Sequence, residues 1–374
     1  MNAEHTAKAL LALADIEVNG SNPWDIQIHD KVVYQRVIAQ GSVALGETYM
    51  EGLWDCERLD QFFEHVISAG LVDKVSLNPH NAWLWLQATV RNLQTKGRAR
   101  IAIDAHYEET NTRAFEYIYD KSMCASCGYF PNGDEDLDTA QTKKFKLLCD
   151  KLGLRPGDHV VDIGCGWGSF MVYATKVRGA RCTGITLSVS QAEYIRKRYS
   201  DLPITVIQSD YREAVIPEKA DHVVSIEMFG HVGRRNFKHF FEVARAAMKD
   251  DGIFILQETL RNKRHPTLDP WIDKYIFPNA EAPSPGQAAS AAEGLFVLED
   301  FHNLGPMLNK TLMGWQANME RNKEFIIENF GLMWYRMMTY YHTSCAATYS
   351  TRIIGCGQFV FSPKGVPGGY RAVR

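Results

Sequence analysis

The chain has 374 residues, 45% of them hydrophobic, so it can bury one large core or two smaller ones. Its 41 basic and 44 acidic residues give a formal net charge of −3. This balance, with no long basic run, argues against nucleic acid as a partner. Residues 1–14 lack a basic segment, and residues 7–16 are too short to span a bilayer. We therefore expect neither a secretory signal nor a transmembrane helix.

The N-terminal part of the chain has a helical character. Leucine spacing predicts a helix over residues 6–15, and helical spacing returns at residues 59–67 and 82–86. Residues 41–50 form a segment of small side chains. These patterns predict a small, mainly helical domain over residues 1–94. Its tryptophans either pack in a core or form a face that meets lipid.

A basic, glycine-containing stretch at residues 95–100 predicts a linker over residues 95–105. The remaining residues, 106–374, alternate apolar runs of strand length with helical stretches such as residues 106–120 and 137–152. This alternation predicts an α/β domain with a doubly wound parallel sheet, whose ligand binds at the carboxyl ends of the first strands. The predicted strands are residues 160–163, 180–186, 204–207, 222–226, 252–256 and 358–362.

The first predicted strand runs into a loop with three glycines, Gly164, Gly166 and Gly168. Glycine lets the backbone approach a ligand closely, and amides that open the following helix can hold an anionic group. A dinucleotide-binding loop would place its third glycine one residue later and an acidic residue after the second strand. This chain has Thr186 there instead. Residues 162–168, DIGCGWG, are similar to the S-adenosylmethionine loop of class I methyltransferases.

An aromatic insertion at residues 265–320 follows the strand pattern, and its residues 269–279 read DPWIDKYIFPN. An insertion of this kind beyond a cofactor sheet predicts a hydrophobic substrate pocket. If an alkene is the nucleophile, aromatic faces can stabilise the cation that develops on it. Each of these aromatic residues is more often explained by packing in a core. The candidates are Tyr275, Trp271, Phe277, Trp315 and Tyr340.

These motifs together resemble those of the cyclopropane-fatty-acyl-phospholipid synthases, which carry a methylene group from S-adenosylmethionine to an acyl double bond. Residues 269–279 are the most diagnostic stretch, and residues 46–52, 126–127 and 371–374 add to the likeness. The resemblance implies a class I methyltransferase (Rossmann-like) sheet with a helical cap and a helical N-terminal domain that helps engage membrane. It also implies a homodimer in the cytoplasm, with peripheral contact at the inner membrane and a lipid substrate.

Residue by residue, the resemblance implies a site for S-adenosylmethionine. The glycine loop would hold the methionine part, and the residues after the second and third strands would hold the ribose and the adenine. A further segment would cover the sulfonium. The expected cofactor-binding residues are Ser126, Tyr129, Asp162, Gly164, Cys165, Gly166, Thr186, Leu187, Gln191, Ser209 and Asp210.

The chain differs from the family at the residues that surround the transferred methyl group when it loses a proton. The resemblance implies a bicarbonate ion held there by a cysteine, a glutamate, a histidine and a tyrosine, and Cys127 matches the cysteine. The other three positions are Gly230, Gln257 and Gln316. Because a bicarbonate ion in a dry pocket needs several donors, a role for bicarbonate is doubtful, and we predict activity that is insensitive to it.

Another group must then accept the proton. We predict His231 as the base, alone or oriented by Glu227, although His231 is equally well explained as a structural cap. A base rebuilt from Glu227, Glu258 and His231 is an alternative, and so is methyl transfer without ring closure. The predicted catalytic residues are Cys127, Glu227, His231, Gln257, Tyr275 and Gln316.

Cys124 and Cys127 have Cys-x-x-Cys spacing, but no second such pair accompanies them. We therefore predict reduced thiols and no metal site.

The predicted function is S-adenosylmethionine-dependent transfer of a methyl or methylene carbon to an apolar, unsaturated fatty-acyl or lipid-like substrate. One alternative is C- or N-methylation of a small-molecule nucleophile. Another is a non-catalytic paralogue that binds lipid or cofactor. The intact glycine loop favours an enzyme, because random loss would be expected to erode the loop as well.

Overall fold

A computed structural model of the chain describes residues 3–71, 109–262 and 268–374. The chain divides into two compact units, which we call the helical unit and the sheet unit. The helical unit comprises Met1–Arg91, Pro266–Pro278 and Leu312–Ile354. The sheet unit comprises Asn92–His265, Asn279–Thr311 and Gly355–Arg374.

This division differs from the predicted boundaries. Residues 1–94 do not form a unit by themselves, and the predicted insertion at residues 265–320 is shared between the two units. The predicted linker at residues 95–105 and the predicted helix at residues 82–86 lie outside the described residues.

The described helices and strands follow the chain in a helical part and then an alternating part. The helices are α1 (Ala3–Ala12), α2 (Val32–Gln40), α3 (Ser42–Met50), α4 (Leu59–Ser68), α5 (Glu109–Ile118), α6 (Leu137–Leu152), α7 (Ser169–Arg178), α8 (Val189–Arg198), α9 (Phe237–Ala247), α10 (Pro270–Tyr275), α11 (Pro285–Ala292), α12 (Met307–Arg321), α13 (Lys323–Phe330) and α14 (Leu332–Ser350). The strands are β1 (Gln27–Ile28), β2 (Trp54–Asp55), β3 (His159–Ile163), β4 (Arg181–Thr186), β5 (Ile204–Gln208), β6 (Ala220–Ile226), β7 (Met248–Arg261), β8 (Val297–Gly305) and β9 (Ile354–Ser362).

In the helical unit, the small residues of α3 allow this helix to pack closely against Trp271. A Cβ on Gly46 of α3 would lie 2.3 Å from Trp271 Nε1, so only glycine lets α3 lie against this indole. Trp271 is fully buried, and its ring centroid lies 4.4 Å from that of Tyr340. Asp269 caps α10 by accepting a hydrogen bond from Trp271 N at 2.9 Å. These contacts hold residues 269–275 against the N-terminal segment.

The sheet unit contains a seven-stranded sheet in the order β5-β4-β3-β6-β7-β9-β8. Parallel pairing joins β5, β4, β3, β6 and β7, which confirms the predicted parallel α/β sheet. Strands β8 and β9 pair antiparallel. Sequence reasoning missed β8, because its first seven residues are exposed or half-buried and show no clear alternation.

Apolar cores cover both faces of the sheet. Val161 and Val223 belong to one cluster, and their neighbours Val160 and Val224 belong to the other. This follows from the two-residue period of a strand, since successive side chains point to opposite faces. No helix in the part of the chain that the structure describes is both long and apolar enough to cross a membrane.

Candidate active site

The glycine loop connects β3 to α7. Gly164 N and Cys165 N both donate hydrogen bonds to Ile185 O, at 2.9 and 3.0 Å, which fixes the loop to β4. Gly164 has φ of +87°, and a Cβ there would lie 2.4 Å from Met228 Cγ. A Cβ on Gly166 would meet no atom within 4 Å. The loop is therefore tightly packed at Gly164 and open at Gly166.

Asp162 ends the buried strand just before this loop. No described residue donates a hydrogen bond to Asp162 Oδ1, and burial raises the pKa of this carboxyl to about 7 against the opposing charge of Lys144. A buried carboxylate without a donor is costly, and an ammonium group on a ligand would relieve that cost. The open loop and this carboxylate therefore fit S-adenosylmethionine, whose methionine part carries an amino group.

Lys144 on α6 is a residue that sequence reasoning missed. Its side chain is fully buried, and Nζ donates to Ser126 Oγ at 2.7 Å and to Cys124 Sγ at 2.8 Å. Gln141 Nε2 also donates to Ser126 O, at 2.7 Å. Both donors hold Ser126, a predicted cofactor residue, in place. The position of Lys144 next to Phe145 and Gln141 on the buried face of α6 is the signal that could have identified it.

Three predicted cofactor residues lie together at the carboxyl end of β4. Thr186 Oγ1 donates to Gln191 Oε1 at 2.7 Å, and both side chains are buried. Gln208 Nε2 donates to Leu187 O at 3.2 Å. Thr186 and Gln191 therefore position each other beside the glycine loop.

The predicted adenine-side residues follow β5. Ser209 N donates to Thr186 O at 2.9 Å, which brings the ends of β4 and β5 together. Asp210 forms an ion pair with Arg212, with 2.8 Å between Oδ1 and Nε. Because Arg212 neutralises this carboxylate, the adenine role of Asp210 stays a prediction.

Tyr129, predicted to cover the sulfonium, is half-buried. Its backbone N–H donates to Ala140 O at 3.0 Å, and its ring lies edge-on to His302 with 5.8 Å between centroids. Tyr129 is thus anchored to α6 by its backbone and to β8 by its ring.

Three predicted residues and one further cysteine meet near the end of β6: Glu227 follows β6, Gln257 lies within β7 and Cys356 lies within β9. We call Cys127, Glu227, Gln257 and Cys356 the acid–amide cluster. Glu227 Oε1 accepts hydrogen bonds from Cys127 N at 2.8 Å and Gln257 Nε2 at 2.9 Å, and Cys356 Sγ lies 3.7 Å away. Burial raises the pKa of Glu227, and these donors oppose that rise. Cys356 lies 229 positions after Cys127, so sequence spacing could not have found it.

Glu227 has a strained backbone. Its φ is +53°, a region that non-glycine residues rarely adopt, and its N–H donates to Gln257 O at 2.8 Å. This conformation aims the carboxylate at Cys127 rather than along the strand.

The side chains of Cys127, Glu227 and Cys356 offer three metal-ligand atoms within 4.8 Å of one another. The second thiol is Cys356 and not Cys124, the partner that the Cys-x-x-Cys spacing suggests. Glu227 Oε1 already accepts two N–H groups, and burial raises the pKa of Cys356, which opposes the thiolate that a metal requires. The predicted absence of a metal stays a prediction.

A second buried carboxyl lies next to Gly230. Glu258 accepts hydrogen bonds from Gly230 N and Thr259 N, both at 2.9 Å. Burial, and secondarily the charge of Glu227, raise the pKa of Glu258 to about 8. A Cβ on Gly230 would lie 3.4 Å from Glu258 Oε1, so this carboxyl occupies the space beside the glycine.

His231, the predicted base, lies on a 3-10 turn, Phe229–His231, after β6. His231 is exposed, and its role as the base stays a prediction.

Two predicted catalytic residues belong to the helical unit. Tyr275 OH donates to Glu47 Oε1 at 2.8 Å, and Lys274 pairs with the same oxygen. The buried Gln316 donates to Glu320 at 3.0 Å and to Thr339 at 3.3 Å. Hydrogen bonds within the helical unit thus occupy both side chains, and their catalytic roles stay predictions.

Comparison with known proteins agrees with this geometry. The family model for mycolic acid cyclopropane synthetase matches residues 94–359. Cyclopropane-fatty-acyl-phospholipid synthase of Escherichia coli (strain K12) is 39% identical over 368 residues, which cover 98% of this chain and 95% of that protein. Sphingolipid C9-methyltransferase of Candida albicans is 34% identical over 243 residues, covering 61% of this chain and 47% of that protein.

Among solved structures, mycolic acid cyclopropane synthase CmaA1 complexed with SAH and CTAB is 28% identical, with a TM-score of 0.65. The match covers 70% of this chain and 98% of that one. The fold and the glycine loop define a class I, S-adenosylmethionine-dependent methyltransferase. Within that class, the chain belongs to the cyclopropane-fatty-acyl-phospholipid synthase family.

Proposed function

We propose that this enzyme transfers a one-carbon unit from S-adenosylmethionine to a carbon–carbon double bond in a lipid acyl chain, and that its own carboxyl group removes the proton. The observation that carries this proposal is Glu258, a buried carboxyl beside Gly230 with a pKa raised to about 8. The name of the Escherichia coli relative and that of the matching family model, mycolic acid cyclopropane synthetase, support an acyl substrate.

When bound, S-adenosylmethionine supplies an electrophilic methyl group. The residues fitted to hold it are Asp162 toward the amino group, the glycine loop, and Thr186 with Gln191 at the end of β4. They bind and orient the cofactor and take no proton. In-line transfer depends on this positioning more than on acid–base help.

After the methyl carbon bonds to one alkene carbon, the other carbon carries positive charge until a proton leaves. Loss of a proton from the new methyl group closes a cyclopropane, and loss of a proton from the acyl chain leaves a methyl-branched alkene. Glu258 can accept this proton once it is ionised, and its pKa of about 8 suits a general base. Bicarbonate is then not required.

The test uses labelled S-adenosylmethionine with vesicles of phospholipids whose acyl chains are either cis-monounsaturated or saturated. We expect a gain of one CH₂ group in the unsaturated lipid only, unchanged by removal or addition of bicarbonate. Hydrogenation of the product separates the outcomes, because a cyclopropane survives conditions that reduce an alkene. No labelled lipid from either vesicle would refute the proposed substrate.

The base is tested separately with Glu258→Gln, which mimics the protonated carboxyl. We expect kcat to fall about a hundredfold with unchanged affinity for S-adenosylhomocysteine. In the wild type, kcat should rise with pH around a midpoint near 8, because the ionised carboxylate is the active form. Glu242→Gln, an exposed change on α9, is the control. Full activity in Glu258→Gln with a large loss in His231→Gln would assign the base to His231.

A second candidate is methyl transfer that never closes a ring, as the name of the Candida albicans relative suggests for that protein. The loss of three of the four expected bicarbonate-site residues, at Gly230, Gln257 and Gln316, favours this candidate. A product that hydrogenation still reduces would support it.

We also propose peripheral membrane contact through the helical unit, in a homodimer. This unit exposes large apolar side chains, including Leu13, Leu332 and Met333, which are 61%, 54% and 56% exposed. Deleting the N-terminal segment would break the helical unit, so substitution is the better test. Met333→Gln should weaken sedimentation with vesicles, whereas Val215→Gln, at an 80% exposed site of the sheet unit, should not. Equal vesicle binding by both variants would contradict the proposal.

A further inference from the structure

Within the sheet unit, a line of hydrogen bonds between buried side chains connects Glu227 to Lys151. Gln257 Oε1 accepts a hydrogen bond from Gln358 Nε2 at 2.8 Å, and Gln358 Oε1 accepts one from Lys151 Nζ at 2.7 Å. Gln257 and Gln358 are fully buried, and Lys151 is 1% exposed. Buried polar groups of this kind are costly unless each has a partner, so every link in the line matters.

The two ends of a glutamine amide cannot be told apart by shape, so the direction of each amide has to follow from its partners. As an ammonium, Lys151 donates and cannot accept, which requires Gln358 to turn its oxygen toward Lys151. Burial lowers the pKa of Lys151 to about 7, so the ammonium fixes this direction below about pH 7. Gln358 must then turn its NH₂ group toward Gln257. Gln257 in turn accepts with its oxygen and is left to donate with Nε2.

That NH₂ group of Gln257 points at the two acceptors of the cluster. It lies 2.9 Å from Glu227 Oε1 and 3.4 Å from Cys127 O. If Gln257 were reversed, its oxygen would face the Glu227 oxygen at the same distance, and two acceptors would repel each other. The direction of Gln257 therefore decides whether Glu227 keeps a donor.

We propose that Lys151 is a positioning residue for the reaction: through Gln358 it sets the direction of the Gln257 amide, and thereby holds the carboxylate of Glu227 in place beside Cys127. Among the described residues, the side chain of Lys151 forms hydrogen bonds with Gln358 and His302 and with none of the predicted cofactor residues, so it acts along this line of hydrogen bonds.

The far end of the line is consistent with a donating lysine. Lys151 Nζ lies 3.1 Å from His302 Nδ1, and burial together with the charge of Lys151 lowers the pKa of His302 to about 4. His302 is therefore neutral at pH 7 and can accept from Lys151. The side chain of Lys151 has acceptors on both sides.

The test uses a variant that reverses the direction of the hydrogen bond between positions 358 and 257 without removing either side chain. Gln358→Glu keeps the size of the side chain and gives Lys151 an anionic partner, so a purely structural role predicts an enzyme at least as stable and as active. The proposal predicts the opposite for turnover. An ionised carboxylate at position 358 can only accept, so Gln257 reverses, and kcat should fall by about tenfold with the affinity for S-adenosylhomocysteine unchanged.

The double variant Lys151→Met with Gln358→Glu sharpens the result. Without the lysine, the buried carboxyl at position 358 is protonated and donates to Gln257 Oε1, which restores the original direction. We expect its kcat to exceed that of Gln358→Glu alone by about threefold or more, and Lys151→Met alone to have an intermediate kcat. Lys146→Met, an exposed lysine on the same helix, is the control.

Turnover is measured on vesicles of cis-monounsaturated phospholipid, and this readout rests on the proposed substrate. Thermal unfolding and calorimetric titration with S-adenosylhomocysteine accompany it and do not depend on that substrate. A wild type that is inactive on these vesicles contradicts the proposed function. An active wild type whose Gln358→Glu variant keeps its kcat, or whose double variant is no better than Gln358→Glu, overturns the role of Lys151.

Discussion

The glycine loop follows β3, and Glu227 of the acid–amide cluster follows the neighbouring strand β6, but the two regions are built in different ways. The loop is one continuous stretch, in which backbone conformation at Gly164 and Gly166 creates the space for a ligand. The cluster brings together side chains from positions 127, 227, 257 and 356, each on a different segment. A substitution in the cluster changes one side-chain contact among several, whereas a Cβ added at Gly164 would collide with Met228.

The largest effect that separates the two regions is expected from Gly164→Ala. A Cβ there would lie 2.4 Å from Met228 Cγ, and φ of +87° strains any side chain. We expect the affinity for S-adenosylhomocysteine to be lost, and the free energy of unfolding to fall by about 3 kcal/mol. Calorimetric titration and urea unfolding measure both.

The matched control is Gly157→Ala. Gly157 has nearly the same φ, +89°, but a Cβ there meets no atom within 4 Å. This variant should lose only about 1 kcal/mol of stability and should bind S-adenosylhomocysteine normally. Equal effects at both positions would show that backbone strain, and not the contact with Met228, makes glycine necessary in the loop.

A smaller effect is expected from Asp162→Asn. The variant should bind S-adenosylhomocysteine about tenfold more weakly, because a charged partner for the amino group is lost. It should also unfold about 1 kcal/mol less readily without ligand, since a buried carboxyl lacking a donor on Oδ1 is removed. In the wild type, affinity should rise as the pH passes through about 7, where the carboxylate forms. Equal ligand affinity in the variant and the wild type would remove Asp162 from the cofactor site.

The contrast between the regions also explains what could be predicted from the sequence. The parallel sheet was predictable because each apolar run is a local signal, and the glycine loop because its residues are contiguous. The partners of Glu227 were only partly predictable. Cys127 and Gln257 could be found by resemblance, but Cys356, Gln358 and Lys151 come into place only through the long-range pairing of the sheet with α6.

The division into units differs from the predicted domain boundary for a related reason. The grouping of residues 312–354 with the N-terminal segment depends on contacts such as the ring of Tyr340 against Trp271 and Tyr49. The order of helices along the chain does not tell which earlier helix a later helix packs against. For this reason the sequence pattern predicts a single insertion at residues 265–320, which includes the aromatic residues at positions 271 and 315.

The last prediction concerns how stability depends on pH, and it follows from the raised pKa of Glu258. In the folded protein this pKa is about 8, whereas an unfolded glutamate ionises near its ordinary value of about 4.3. Between these two values the folded state holds a proton that the unfolded state releases. The contribution of Glu258 to the free energy of unfolding is therefore fully present below about pH 4.3, and it is lost as the pH rises toward 8.

Glu258→Gln removes that titration while keeping the shape of the protonated carboxyl. We expect the loss of unfolding free energy between pH 5 and pH 8 to be about 3.5 kcal/mol smaller in the variant than in the wild type. Urea unfolding at four pH values measures the slope, with Glu242→Gln as an exposed control that should keep the wild-type slope. Asp162 contributes a slope of the same sign, so the difference between wild type and variant, and not the wild-type slope alone, isolates Glu258. Parallel stability curves would mean that Glu258 is already ionised in the folded enzyme, and the carboxyl beside Gly230 would then be a fixed anion rather than a group that exchanges a proton near neutral pH.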